Sequence, residues 1–165
     1  MNINKPESNY LDLETAKLFQ EKGISKWMVE KGVETHACFV KNNIDPFDLY
    51  VEIGGRYVSI DNFDVSYEME CKVDGCIDDI YFYNPEHIIP TFTLDQIISV
   101  LPEWVINLIA SKIREDGQVF TIPAIHGEAL IIYLGGLIDL HGLNFLKIFS
   151  EILIYLWDKN LLENK

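Results

Sequence analysis

Two pairings of a histidine with an acid have spacings that could do chemistry: Asp139 with His141, and His126 with Glu128 across Gly127. A carboxylate that orients an imidazole and fixes its tautomer turns it into a general base at neutral pH. Residues two apart share a face on an extended strand, so Asp139 and His141 need a strand in order to act together. His126 and Glu128 would meet in a turn. The plainer reading of both is a surface polar pair. His36 and Cys38 could join Cys71 and Cys76 on a zinc ion, yet the spacings follow no zinc-ligand pattern and ordinary buried cysteines explain them more simply. Asp74, Asp78 and Asp79 could share a divalent cation, against the alternative of a solvated turn. No phosphate-binding loop, nucleophile elbow, HExxH pair or dinucleotide glycine motif occurs. The leading expectation is therefore a non-enzymatic protein with no catalytic residue, no cofactor and no metal. A small enzyme or ligand-binding domain using Asp139, His141 or His126 stands as the alternative.

Charge carries more information. The net charge of the 165 residues is −13, with 26 acidic and 13 basic residues. It is concentrated. Ile44 to Glu103 holds thirteen acids against only Arg56 and Lys72, a net of −11, while Met1 to Asn43 is neutral and Trp104 to Lys165 carries −2. Such a field repels nucleic-acid phosphate and attracts basic partners. Tyr50, Tyr57, Tyr67, Tyr81, Phe82 and Tyr83 lie in the same third. Aromatics interleaved with acids suit a basic protein surface, where tyrosine is a favoured anchor. The competing readings are a solubilising face for the acids and cross-strand packing for the rings.

The elements that must position these residues read as α+β, over a single domain of residues 1–165. Asp12 caps a helix over Leu13 to Lys22, with Leu11, Thr15, Leu18 and Phe19 on one side and Gly23 as a left-handed stop. Ile24 to Trp27 leads into a β region that runs to Tyr83. Its strands are Val33 to Val40, Leu49 to Ile53, and a return strand through Tyr57, Val58 and Ile60 after Gly54-Gly55. Val65 to Glu70 alternates apolar and acidic residues, Asp74-Gly75 turns the chain, and Ile77 to Tyr83 pairs back. A central helix over about 94–101 is marked by Thr93 as N-cap, Gln96 as its capping-box partner, Phe92 and Ile97 as a staple, and Pro102 as a stop. The Val- and Ile-rich run Trp104 to Ile113 reads as a strand. Glu115-Asp116-Gly117 turns it, Val119 to Ile125 returns at an edge, and Ala129 to Leu134 is a further strand before a Gly135-Gly136 turn. Leu143 to Leu162 closes the chain as a long helix with an apolar stripe of Phe145, Leu146, Phe149, Ile152, Leu153 and Leu156.

Three cysteines with no CxxC pair fit free thiols in a reducing compartment. No basic start precedes an apolar run, and Ala129 to Ile138 is too short to span a bilayer, so the expectation is a soluble, cytoplasmic protein that touches no membrane.

Three segments together resemble small uncharacterised proteins of phages, prophages and conjugative elements. LETAKLFQEKGI is similar to their opening "L-x-x-A-x-x-L-x-x-K-G" helix. IIPTFTLDQIISVLPEW is similar to their later "P-T-L-x-x-hydrophobic-x-x-W-L/LP" element, and SEILIYLWDKNLL to their closing helix. Ser150-Glu151 replaces the usual acidic-alanine pair there, and Asn160 stands where glycine is common. The resemblance implies a mobile-element origin and an α+β fold, and brings no catalytic residues.

The functional expectation follows from the charge. Asp61, Asp64, Tyr67, Glu68, Glu70, Asp74, Asp78 and Asp79 form the candidate partner-binding set. The partner class is a basic host protein, such as a nuclease or another nucleic-acid-binding effector, held by charge mimicry in the anti-defence, anti-CRISPR-like manner. An immunity protein for a toxin nuclease is the close alternative. No direct nucleic-acid binding is expected, and the closing helix with Trp157 is the candidate face for a homo-oligomer.

Overall fold

A computed structural model describes residues 9–41, 48–53, 56–59, 66–67, 88–114 and 124–162. Strands and helices segregate along the chain, which makes the fold α+β. Two compact units are present, Met1–Thr93 and Leu94–Lys165.

The first unit opens with α1 (Leu13–Lys22) and α2 (Ile24–Glu30). Asp12 is the cap of α1: its Oδ1 accepts from the Thr15 amide at 2.7 Å. Gly23 ends the helix at φ 82° and at once begins α2. Ile24 to Trp27 is thus helical and does not lead into a strand. Ile24 and Met28 are fully buried, and that burial outweighs the β tendency of the local sequence. Leu18 faces outward, and it is Ala16 that joins Thr15 and Phe19 on the buried side of α1.

The sheet is antiparallel throughout, in the order β4-β3-β2-β1-β5. β1 (Ala37–Val40) lies between β2 (Asp48–Ile53) and β5 (Ile88–Thr91), and β3 (Arg56–Ser59) joins β2 to β4 (Ser66–Tyr67). Pro90 has no amide to donate, which suits the end strand β5. Backbone and side chains tie α1 to that strand. The Leu11 amide donates to the Phe92 carbonyl at 3.0 Å, Thr91 Oγ1 to the Leu11 carbonyl at 2.9 Å, and Gln20 Nε2 to the Ile88 carbonyl at 3.2 Å. The core of this unit centres on Phe19, Ile24, Met28 and Phe92, with the Phe19 and Phe92 rings 6.4 Å apart.

The second unit is helical among its described residues: α3 (Leu94–Val100), α4 (Glu103–Arg114), α5 (Ala124–His141) and α6 (Phe145–Asp158). The central helix begins directly after Thr93, as expected. Pro102 closes it and opens the next, its carbonyl accepting from the Val105 and Ile106 amides at 3.0 and 3.2 Å. Trp104 to Ile113 is helix and not strand. Val105, Leu108 and Ile109 are buried at i, i+3 and i+4, a helical stripe that outweighs the local abundance of β-branched residues. Ala129 to Leu134 and Gly135-Gly136 are likewise interior to α5, where Leu130, Leu134 and Leu137 form the buried side. Ala124 and Ile125, expected in an edge strand, begin the same helix. α6 buries Ile148, Phe149, Ile152, Leu153 and Leu156 and packs against α3 and α5. The apolar stripe of this helix is thus largely buried within the fold, and Phe145 at its start is exposed.

The Asn42-Asn43 loop, the Gly54-Gly55, Asp74-Gly75 and Glu115-Asp116-Gly117 turns, the Ile77 to Tyr83 strand and residues 119–123 of the expected edge strand lie outside the described residues. Among the described residues no helix is long and apolar enough to cross a membrane.

Candidate functional site

The acidic third enters the described structure through the sheet. Glu52 of β2 pairs across to Tyr57 of β3, and Tyr57 pairs across to Tyr67 of β4. One acid and two tyrosines thus stand in a single cross-strand row. The next row is Thr91, Ala37, Val51, Val58 and Ser66, which is apolar between its two polar ends. Glu52, which is not among the candidate binding residues, is the acid that shares a row with Tyr67. Alternation within one strand could not reveal this pairing; it comes from the register between strands.

Of the candidate binding residues, Tyr67 lies in β4. Asp61, Asp64, Glu68, Glu70, Asp74, Asp78 and Asp79 fall outside the described residues, as do Tyr81, Phe82 and Tyr83. Tyr50 is no surface anchor. It is 3% exposed in β2, opposite Cys38, and belongs to the core. Asp48, at the start of β2, is half-buried opposite Val40.

The histidine pairings change with the secondary structure. Asp139 and His141 stand on α5, where residues two apart point about 200° away from each other. They do not share a face, and the base-with-orienter geometry expected from a strand is lost. Asp139 is exposed. His126 and Glu128 are both exposed near the start of the same helix, not in a turn, and the same angle separates them. His141 has a different acid. Its Nε2 lies 3.1 Å from Glu151 Oε1 and 3.2 Å from Oε2, across the turn between α5 and α6. Lys147 Nζ reaches the same Oε1 at 3.7 Å. Beside this cluster the Tyr133 and Tyr155 rings stack at 4.4 Å. Burial holds the Tyr133 hydroxyl protonated above its ordinary value, and Glu151, Tyr155 and Asp158 add to that. The arrangement is a half-buried polar cluster that ties one helix to the next. It depends on both segments being helical, with Gly142 and Asn144 between them, a pattern that the run of apolar residues on either side of the turn carries in the sequence.

His36 sits 3.3 Å from Glu34 and Cys38 is buried in β1, while Cys71 and Cys76 are outside the described residues. Among the described residues no group of three His, Cys, Asp or Glu side chains stands close enough to hold a metal ion. Comparison with protein-family models, with curated proteins and with solved structures returns no match for this chain.

Proposed function

We propose that this chain is a non-enzymatic acidic binding protein of a phage or mobile element. It occupies the basic, nucleic-acid-binding surface of a host protein, such as a defence nuclease, and so inhibits it. The observation that carries this reading is the concentration of charge: thirteen acids against two basic residues between Ile44 and Glu103. A field of that sign and density attracts a surface built to hold phosphate. The row of Glu52, Tyr57 and Tyr67 supports it by setting tyrosines beside an acid across three strands. Tyrosine and arginine are the residue types that dominate such contacts from the two sides.

The test is capture of a partner from the native host's lysate at low and at high salt, followed by titration of the purified pair. Reversing Asp64, Glu68 and Glu70 to lysine is expected to abolish binding, and the wild-type affinity is expected to fall steeply with added salt. Unchanged affinity in the triple variant sinks the proposal. A captured partner encoded beside this chain as a toxin would instead identify an immunity protein acting through the same surface.

A further inference from the structure

α5 is apolar on most of its circumference. Leu130, Leu134 and Leu137 are buried on one side, yet Ile132 and Leu140 are 78% and 76% exposed on another. Helices that are apolar all round are ordinarily covered all round. Ala129, Ile132, Gly136 and Leu140 follow one another at i, i+3, i+7 and i+11, a single stripe, and all four are exposed. Gly136 leaves a side-chain-sized gap in the middle of it, where a Cβ would meet nothing within 4 Å. Leu143 continues the apolar surface past the helix end.

One edge of this stripe is acidic. Glu128 and Asp139 are both exposed and stand eleven residues apart, which is three turns, so they align roughly 16 Å apart along the same side. α5 itself carries no lysine or arginine. Lys112 of α4 lies against Gly135 between the two acids, with its Cε 3.6 Å from where a Cβ would stand, and it offsets only one of the two charges. An antiparallel two-fold pairing of two copies on this stripe would set acidic edge against acidic edge, Glu128 against the Asp139 of the second copy, between chains that each carry −13. An anionic lipid surface is repelled by the same edge.

From this complementarity we infer that the stripe is a docking face for an amphipathic helix of another protein, one with a Leu/Ile side and a row of lysines or arginines along one edge. The residues of this face lie outside Ile44 to Glu103 in the sequence, and the inference stands without the function proposed above.

The experiment is a fluorescence-anisotropy titration of the full chain with two labelled synthetic helical peptides. Both have the same leucine stripe; one carries lysines along the edge and the other glutamates. The lysine peptide is expected to bind at least about tenfold more tightly. Ile132→Ser and Leu140→Ser are each expected to weaken it about tenfold, with the melting temperature unchanged because both side chains are exposed. Glu128→Gln with Asp139→Gln should flatten the salt dependence. Failure to bind, or equal binding of the two peptides, overturns the inference. Lysine-peptide binding that survives Ile132→Ser belongs to the acidic third and overturns it too. A dimer in light scattering that Ile132→Ser dissolves would show a second copy as the occupant. A thiol introduced by Ile132→Cys that resists labelling would show that the molecule covers the face itself.

Discussion

His141, the last residue of α5, places its Nε2 within 3.1 and 3.2 Å of the two carboxylate oxygens of Glu151 on α6. The pair is about three-quarters buried, with side-chain exposures of 22% and 24%, so it is shielded from solvent more than a surface bridge is. It also closes a tight turn in which Gly142 takes φ 62° and donates its amide to the Ile138 carbonyl at 2.9 Å. A double-mutant cycle with His141→Ala and Glu151→Ala, read by urea unfolding, is expected to give a coupling of about 0.5–1 kcal/mol. It should shrink in high salt. Zero coupling would mean that Lys147 alone satisfies Glu151.

Tyr133 packs face to face with Tyr155 beside that pair. Burial raises its pKa above the ordinary 10.0, and the charges of Glu151, Tyr155 and Asp158 raise it further. Because the folded value lies above the unfolded one, the associated stability is whole below the unfolded pKa and is lost as pH climbs through the folded value. Unfolding midpoints measured from about pH 9 to about pH 12 should therefore fall less steeply in Tyr133→Phe than in the wild type. Glu151→Gln should shift the ionisation of Tyr133 back toward 10.0. Ionisation of Tyr133 at or below 10.0 in the folded protein would contradict this account.

Two helices end on a residue held in the left-handed region by the same pair of bonds. For α2 the residue is Gly32 at φ 92°, where the Gly32 amide donates to Val29 and the Val33 amide to Met28. For α6 it is Asn160 at φ 56°, where the Asn160 amide donates to Trp157 and the Leu161 amide to Leu156. A Cβ on Gly32 meets nothing within 4 Å, so Gly32→Ala isolates the backbone cost, expected at about 1–2 kcal/mol. Asn160→Gly should change stability by less than about 0.5 kcal/mol, because glycine takes this geometry without strain. Asn160→Val should cost about 1–2 kcal/mol. Equal chemical-denaturation midpoints for the two Asn160 variants would exclude the closure described.

The sequence by itself determined what local chemistry can mark. Asp12 and Gly23 bracket α1, and the alternation of Leu49, Val51 and Ile53 marks β2. The charge imbalance of Ile44 to Glu103 is likewise a property of the chain, independent of how it folds. Tertiary structure decided the rest. Residue preferences differ by tenths of a kcal/mol up to about 1 kcal/mol, whereas burying a Val, Leu or Ile is worth about 1.5–3 kcal/mol. That difference makes Trp104 to Ile113 a helix around buried Val105, Leu108 and Ile109. It also carries α5 straight through Gly135-Gly136 despite the cost of two helical glycines. Once those segments are helices, Asp139 and His141 part, and His141 meets Glu151 ten residues on. The row of Glu52, Tyr57 and Tyr67 exists only through strand register, because residues five and ten positions apart pair only when the hydrogen bonds of three strands align them.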